Sequence, residues 1–160
     1  MRRRKLANPD LVVAQIASRQ HGVIGLAQLY WAGLSPTGVR RRTQAGRLHR
    51  IHRGVYAVGI PKLSREGTWF AAVAACGPDA VLSHQSAGAL WQLSPPTSAV
   101  VHVTVATSAG RAKREGIVIH RSTTLTKRDT TRRHNIPVTT LARTHRDLGF
   151  GPERTRSGLE

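Results

Sequence analysis

The chain has a single cysteine, Cys76, in 160 residues, which excludes an intramolecular disulfide. Cys76 lies in the apolar run from Trp69 to Gly77, where a small thiol fills a core position, and a reducing, cytoplasmic compartment fits this usage. No apolar stretch approaches the roughly twenty residues of a membrane-spanning helix, so no membrane partner is expected. The basic start, Arg2 to Lys5, leads into Ala7, Asn8, Pro9 and Asp10 and lacks the hydrophobic segment of a secretion signal. Carboxylates are scarce and scattered, eight in all, and no Asp precedes a Glu-x-Lys strand; a metal-dependent nuclease needs clustered acids. No Gly-x-x-x-x-Gly-Lys loop is present, so nucleotide hydrolysis has no support and no cofactor is expected.

Against those eight acids stand 25 lysines and arginines, giving a formal charge of +17 and a pI near 11.9. Such an excess repels itself in a compact chain and calls for a polyanionic partner, with nucleic acid first among the choices. With 39% hydrophobic and 21% charged residues, the composition is that of a folded domain or two small ones, although aromatics reach only 4%.

Residues 1–8 read as a basic disordered leader. Asn8 and Pro9 then start a helix with apolar positions Leu11, Val12, Ile16 and Ala17, ending by Gly22. Ile24, Leu26, Leu29, Tyr30 and Trp31 predict a short second helix closed at Gly33. Ser35 and Pro36 repeat the start signal, and a third helix runs to Gly46, with Val39 and Thr43 expected inward. Two β-prone stretches, Leu48 to His52 and Val55 to Val58, flank Arg53-Gly54 as a hairpin. Two helices joined by a turn and followed by a hairpin predict a winged helix-turn-helix over residues 9–59, with a boundary near 59–64.

Residues 65–148 predict a small α+β domain. It comprises an apolar helix from about Gly67 to Cys76, a short strand Ala80 to Leu82, a helix capped by Ser83 and running through Leu93, strands Val100 to Val105 and Ile117 to His120 around a basic loop Ser108 to Gly116, and a helix ending near Leu148. Trp69, Phe70, Leu90 and Trp91 sit at apolar helical positions and read as core. The fold class is therefore α+β, and residues 149–160 read as a disordered tail.

Six arginines, Arg40, Arg41, Arg42, Arg47, Arg50 and Arg53, fall between the third helix and the hairpin turn with no carboxylate among them. Thr37, Arg40, Arg41 and Gln44 occupy one helical face at i, i+3, i+4 and i+7. In a helix-turn-helix the second helix of the pair enters the major groove, where arginine bonds guanine and glutamine bonds adenine. These four are the base-reading candidates for double-stranded DNA; Arg42, Arg47, Arg50, Arg53 and the Arg2 to Lys5 arm are assigned to phosphate and wing contacts. Cooperative or dimeric binding is compatible with such a module.

Two other groupings carry less. His49 and His52 are three apart on a strand, which places them on opposite faces and argues against a metal pair. Ser83, His84 and Ser86 read as a helix cap and a polar first turn, since adjacency is not triad geometry and no orienting acid is evident. No catalytic residue and no metal ligand are assigned.

The span Ser35 to Arg47, the Gly46-Arg47-Leu48 step and the Arg53-Gly54-Val55-Tyr56 hairpin resemble the winged helix of AbiEi-family abortive-infection antitoxins. The likeness continues through Leu82-Ser83-His84-Gln85-Ser86-Ala87-Gly88-Ala89-Leu90-Trp91 and Ile136-Pro137-Val138-Thr139-Thr140-Leu141-Ala142-Arg143-Thr144, which resemble actinobacterial members, and covers about residues 10 to 148. It implies a type IV antitoxin or related regulator, acting as an autorepressor and partnered genetically with a nucleotidyltransferase-like toxin. Two other expectations follow. Longer relatives add a domain similar to very-short-patch-repair endonucleases, which makes a truncated remnant of a targeted nuclease one reading. A second has residues 65–148 neutralise a toxin by direct protein contact.

Overall fold

In a computed structural model, residues 7–96, 99–106 and 113–150 are described; the Arg2 to Lys5 arm, the tail beyond Phe150 and most of the basic loop lie outside them. The first unit runs α1 (Pro9–Ser18), β1 (Val23–Gly25), α2 (Leu26–Trp31), α3 (Pro36–Gln44), β2 (Leu48–His52) and β3 (Val55–Val58). Its three-stranded antiparallel sheet has the order β1-β3-β2, and this succession is that of a winged helix-turn-helix. The second helix is shorter than the sequence predicts because Val23-Ile24-Gly25 pairs with Val55–Ala57 as a strand. Gln28 fixes the switch from strand to helix: its Oε1 accepts from the Gly25 N–H at 3.0 Å, and its amide exchanges reciprocal bonds with Gln20.

Side chains alternate across this sheet, so its two faces serve different cores. Ile24, Leu48, Tyr56 and Val58 pack with Val13, Leu29, Leu34 and Val39 of the helical layer. Val23 and Val55 on the reverse face join the core of the second unit.

That unit comprises α4 (Arg65–Ala75), β4 (Val81–Leu82), α5 (His84–Leu90), β5 (Val101–Val105), β6 (Ile117–Arg121), a 3-10 turn at Lys127–Asp129, β7 (Thr130–Arg133), β8 (Ile136–Thr139) and α6 (Leu141–Asp147). Its mixed sheet has the order β6-β5-β4-β8-β7, with β5 parallel to β6 and β4 parallel to β8. The architecture is thus α+β, six helices and two sheets among the described residues. Helix α5 stops at Leu90, short of the expected Leu93, because Gln92 takes φ +61° and the Leu93 N–H returns to the Gly88 carbonyl at 2.8 Å. The β7–β8 hairpin, turning on His134 and Asn135 at φ +49° and +62°, has no counterpart in the sequence reading.

Helix α4 joins the two units. Ser64 caps it by accepting from the Gly67 N–H at 3.0 Å, and its buried Trp69, Ala72 and Val73 share a core with Val23 and Val55. Cys76, just beyond α4, is fully buried. The β7–β8 turn adds polar contacts, His21 Nε2 lying 2.7 Å from the His134 carbonyl and the Asn135 amide donating to the Arg19 carbonyl. A Cβ on Gly67 would come within 2.9 Å of the His21 carbonyl oxygen and 3.3 Å of Leu63 Cβ. Gly67→Ala is therefore expected to cost about 1–3 kcal/mol through overpacking. Urea unfolding would measure it; an unchanged midpoint would mean that this junction yields freely.

Candidate nucleic-acid interface

The recognition candidates sit on a well-anchored helix. Gly33, at φ +102°, turns the chain out of α2, and Leu34 and Val39 are buried against the helical core. Ser35 Oγ then accepts from the Gly38 N–H at 3.0 Å while Pro36 occupies the first turn. With Val39 holding the inner face, Thr37, Arg40, Arg41 and Gln44 are all exposed. Thr43 is also exposed, contrary to its expected inward orientation, and its hydroxyl donates back to the Val39 carbonyl at 2.9 Å. Buried Leu29 and Leu34 already complete the core around Val39.

The wing lies beside this face. Gly54 takes φ +73°, a left-handed conformation that glycine adopts without strain, and Arg53 is exposed at the turn. Arg50, opposite Tyr56 in the β2–β3 ladder, is exposed too. A groove of about 300 Å³ separates helix from wing, lined by Tyr30, Arg40, Thr43, Gln44, Arg50 and Tyr56.

Arg42 stands apart from the other five arginines. Its Nε and Nη2 bond the two oxygens of Asp10 at 2.7 and 3.1 Å, and Nη1 reaches the Gly38 carbonyl at 3.2 Å. The fork ties α3 to the start of α1, and its hydrogen bond holds the Asp10 carboxyl below the ordinary carboxylate range. Asp10 is the only carboxylate between Pro9 and Arg65, and Arg40, Arg41, Arg47, Arg50 and Arg53 form no ion pair among the described residues. Apart from the Arg42–Asp10 pair, the surface around α3 and the wing is accordingly cationic among the described residues.

The ladder also overturns the alternation argument for His49 and His52. His49 pairs with Ala57 and His52 with Val55, because a β-bulge between Arg50 and His52 inserts an extra residue, so both histidines share one face. His49 Nε2 lies 3.1 Å from the Gly59 carbonyl, and burial, with Arg114 adding repulsion, pushes the His52 pKa down. Among the described residues no group of three or more His, Cys, Asp or Glu is arranged to hold a metal.

A second constellation was not legible in the sequence. His84, His102 and His120 converge on one face of β5–β6, next to Ser83, Thr104 and Asp147. Ser83 takes the N-cap position of α5 without a capping bond; its hydroxyl accepts from Thr104 Oγ1 at 2.7 Å and lies 3.0 Å from His84 Nδ1. It is fully buried. Ser86 Oγ accepts from the His102 N–H at 2.9 Å, fastening α5 to β5.

Residues 12–59, which run from within α1 to the residue after β3, match the family model described as transcriptional regulator, AbiEi antitoxin. A search of curated proteins gave no significant match.

Proposed function

We propose that the chain is a sequence-specific DNA-binding transcription regulator, an antitoxin-like autorepressor whose reading head is α3 with the β2–β3 wing. The match of residues 12–59 to antitoxin regulators supports the regulatory role. One observation carries the DNA reading: Thr37, Arg40, Arg41 and Gln44 line a single exposed face beside the wing arginines Arg50 and Arg53. On this reading Arg40 and Arg41 bond base edges bidentately, Gln44 reaches an adenine and Thr37 contacts near the helix start. Arg47, Arg50 and Arg53 neutralise phosphates, whereas Arg42 positions α3 against α1 through Asp10. The second unit braces the wing sheet from behind through α4, and the chain acts without catalysis, in the cytoplasm. Its genetic partner is a nucleotidyltransferase-like toxin.

Counterion release gives the test. With about six phosphate contacts, three from Arg47, Arg50 and Arg53 and the others from the Arg2 to Lys5 arm, log affinity falls against log salt with a slope near −5, at about −0.9 per neutralised phosphate. Arg53→Ala is expected to reduce that slope by about 1 while leaving sequence preference intact. Fluorescence anisotropy on duplex from upstream of the chain's own reading frame, across a salt series, would measure both. A wild-type slope near zero would remove the phosphate-binding surface from the account.

A further inference from the structure

The histidine cluster is built from three separate elements and a fourth that supplies an acid. His84 opens α5, His102 lies on β5 and His120 on β6, where the parallel register sets His120 beside Thr104. His102 Nδ1 and His120 Nε2 are 2.9 Å apart, with ring centroids at 5.2 Å and planes 20° apart, an end-to-end N–H···N bond that requires at least one nitrogen unprotonated. His84 stacks flat on His120, centroids 3.7 Å apart and planes 17° apart.

These distances argue against a metal centre. Zinc–nitrogen bonds of about 2.0–2.1 Å at a tetrahedral angle put ligand nitrogens roughly 3.3 Å apart, and two stacked rings aim their lone pairs in parallel. They fit a proton-sensitive contact better. The backbone at His84 is held at φ +49°, a strained conformation for a residue with a Cβ. At this position the ring stacks on His120 and Nδ1 lies 3.0 Å from Ser83 Oγ, beside the Ser86 bond to β5.

We propose that the His84–His120–His102 array is a proton-operated latch, which fastens the start of α5 to β5 and β6 at neutral pH and releases it in mild acid. Among the described residues, the charged groups acting on the array from adjoining elements lie on α6. From α6 come Asp147, which favours protonation of His84 and His120, and Arg143, which opposes it at His84. Asp147 Oδ1 accepts from Arg143 Nε at 2.9 Å, while its Oδ2 is buried with no hydrogen-bond partner among the described residues. That oxygen gives one imidazolium a nearby counter-charge. A second proton puts two positive rings 3.7 Å apart and breaks the array.

The linkage has a definite sign. Burial is the largest cause depressing the pKa of all three histidines, with His120 repelling His102 and His84 repelling His120. Their unfolded value is near 6.5, so the array's stabilisation is complete above about pH 6.5 and is lost as pH falls through the folded values.

Two measurements on the full chain test the latch: imidazole titration by NMR, and amide hydrogen exchange at pH 7.5 and 5, corrected for the intrinsic pH dependence. Acid is expected to cut protection in residues 84–90 and 117–121 about tenfold or more relative to α1 and α3. His120→Gln removes the stacking partner of His84 and the repulsion on His102; it should raise the pKa of His102 toward 6.5 and abolish most of the acid effect. If that variant is unfolded at pH 7.5, His102→Gln serves the same comparison. Three histidines titrating independently near 6.5, or equal acid sensitivity in wild type and variant, or equal loss of protection in α1 and α3, would each overturn the latch.

Discussion

Replacing Arg40 and Arg41 together by alanine is expected to take away most of the preference for specific DNA while leaving the chain folded and able to bind DNA. Both side chains are exposed and form no ion pair among the described residues, and α3 is held by Val39, Ser35 and the Arg42–Asp10 fork, none of which the double substitution touches. A good bidentate contact to a base contributes about 1–3 kcal/mol of discrimination. Losing two lowers the ratio of specific to non-specific affinity by ~30-fold or more. Arg42→Ala should behave differently. It removes the strut to Asp10 and thus acts through the seating of α3, lowering stability by about 1 kcal/mol or less for an exposed pair.

The largest expected loss of stability lies far from the DNA face, at Arg143. Its side chain is only 11% exposed and reaches four partners: Asp147 Oδ1 at 2.9 Å, Asp129 Oδ2 at 3.3 Å, Ser122 Oγ at 3.1 Å and the Thr124 carbonyl at 3.4 Å. This fan joins α6 to the connection between β6 and β7. Arg143→Met keeps most of the aliphatic volume but strands Asp147, which is 12% exposed, and leaves Asp129 with only Arg146 and Thr126. Removing one partner of a buried pair costs about 3–5 kcal/mol, a large share of the roughly 5–15 kcal/mol that holds a domain together. Arg146 supplies the control, because its guanidinium meets the same Asp129 at 2.9 Å but is 66% exposed. Arg146→Ala should cost about 0.2–1 kcal/mol. Urea midpoints for the two variants measure the difference, and equal midpoints would mean that the Arg143 fan contributes no more than a surface pair.

The elements that carry the proposed DNA face are those with strong local signals. Ser35-Pro36 marks the start of α3, Gly46 its end, and Arg53-Gly54 the hairpin turn, each a matter of backbone preference within a few residues. The strand β1 was hidden because Val23-Ile24-Gly25 runs directly into the apolar positions of α2, with no polar break between the two periods. β7 was hidden for the opposite reason: Thr-Thr-Arg-Arg has no apolar alternation, and its turn uses His134 and Asn135 in place of glycine. Parity along β2 misled at His49 and His52, since a bulge is invisible to a period of two.

Long-range charge and ring contacts follow from topology and not from spacing. Arg42 meets Asp10 across 32 positions once α1 and α3 pack on the same core. The three histidines come together through the parallel pairing of β5 with β6 and the return of α5 over them. Asp147 approaches them only because α6 packs beside α5. The carboxylate sought beside Ser83 and His84 was therefore more than sixty positions away in the chain.

The central claim is that α3 reads sequence. Competition binding at one fixed salt concentration, with duplex from upstream of the chain's own reading frame against a shuffled duplex of equal length and composition, tests it most directly. The wild type should prefer the upstream duplex by about 10³-fold or more, and Arg40→Ala with Arg41→Ala should lose most of that preference while retaining the shuffled-duplex affinity. A double variant that keeps the wild-type preference would contradict the assignment of α3 as the reading head.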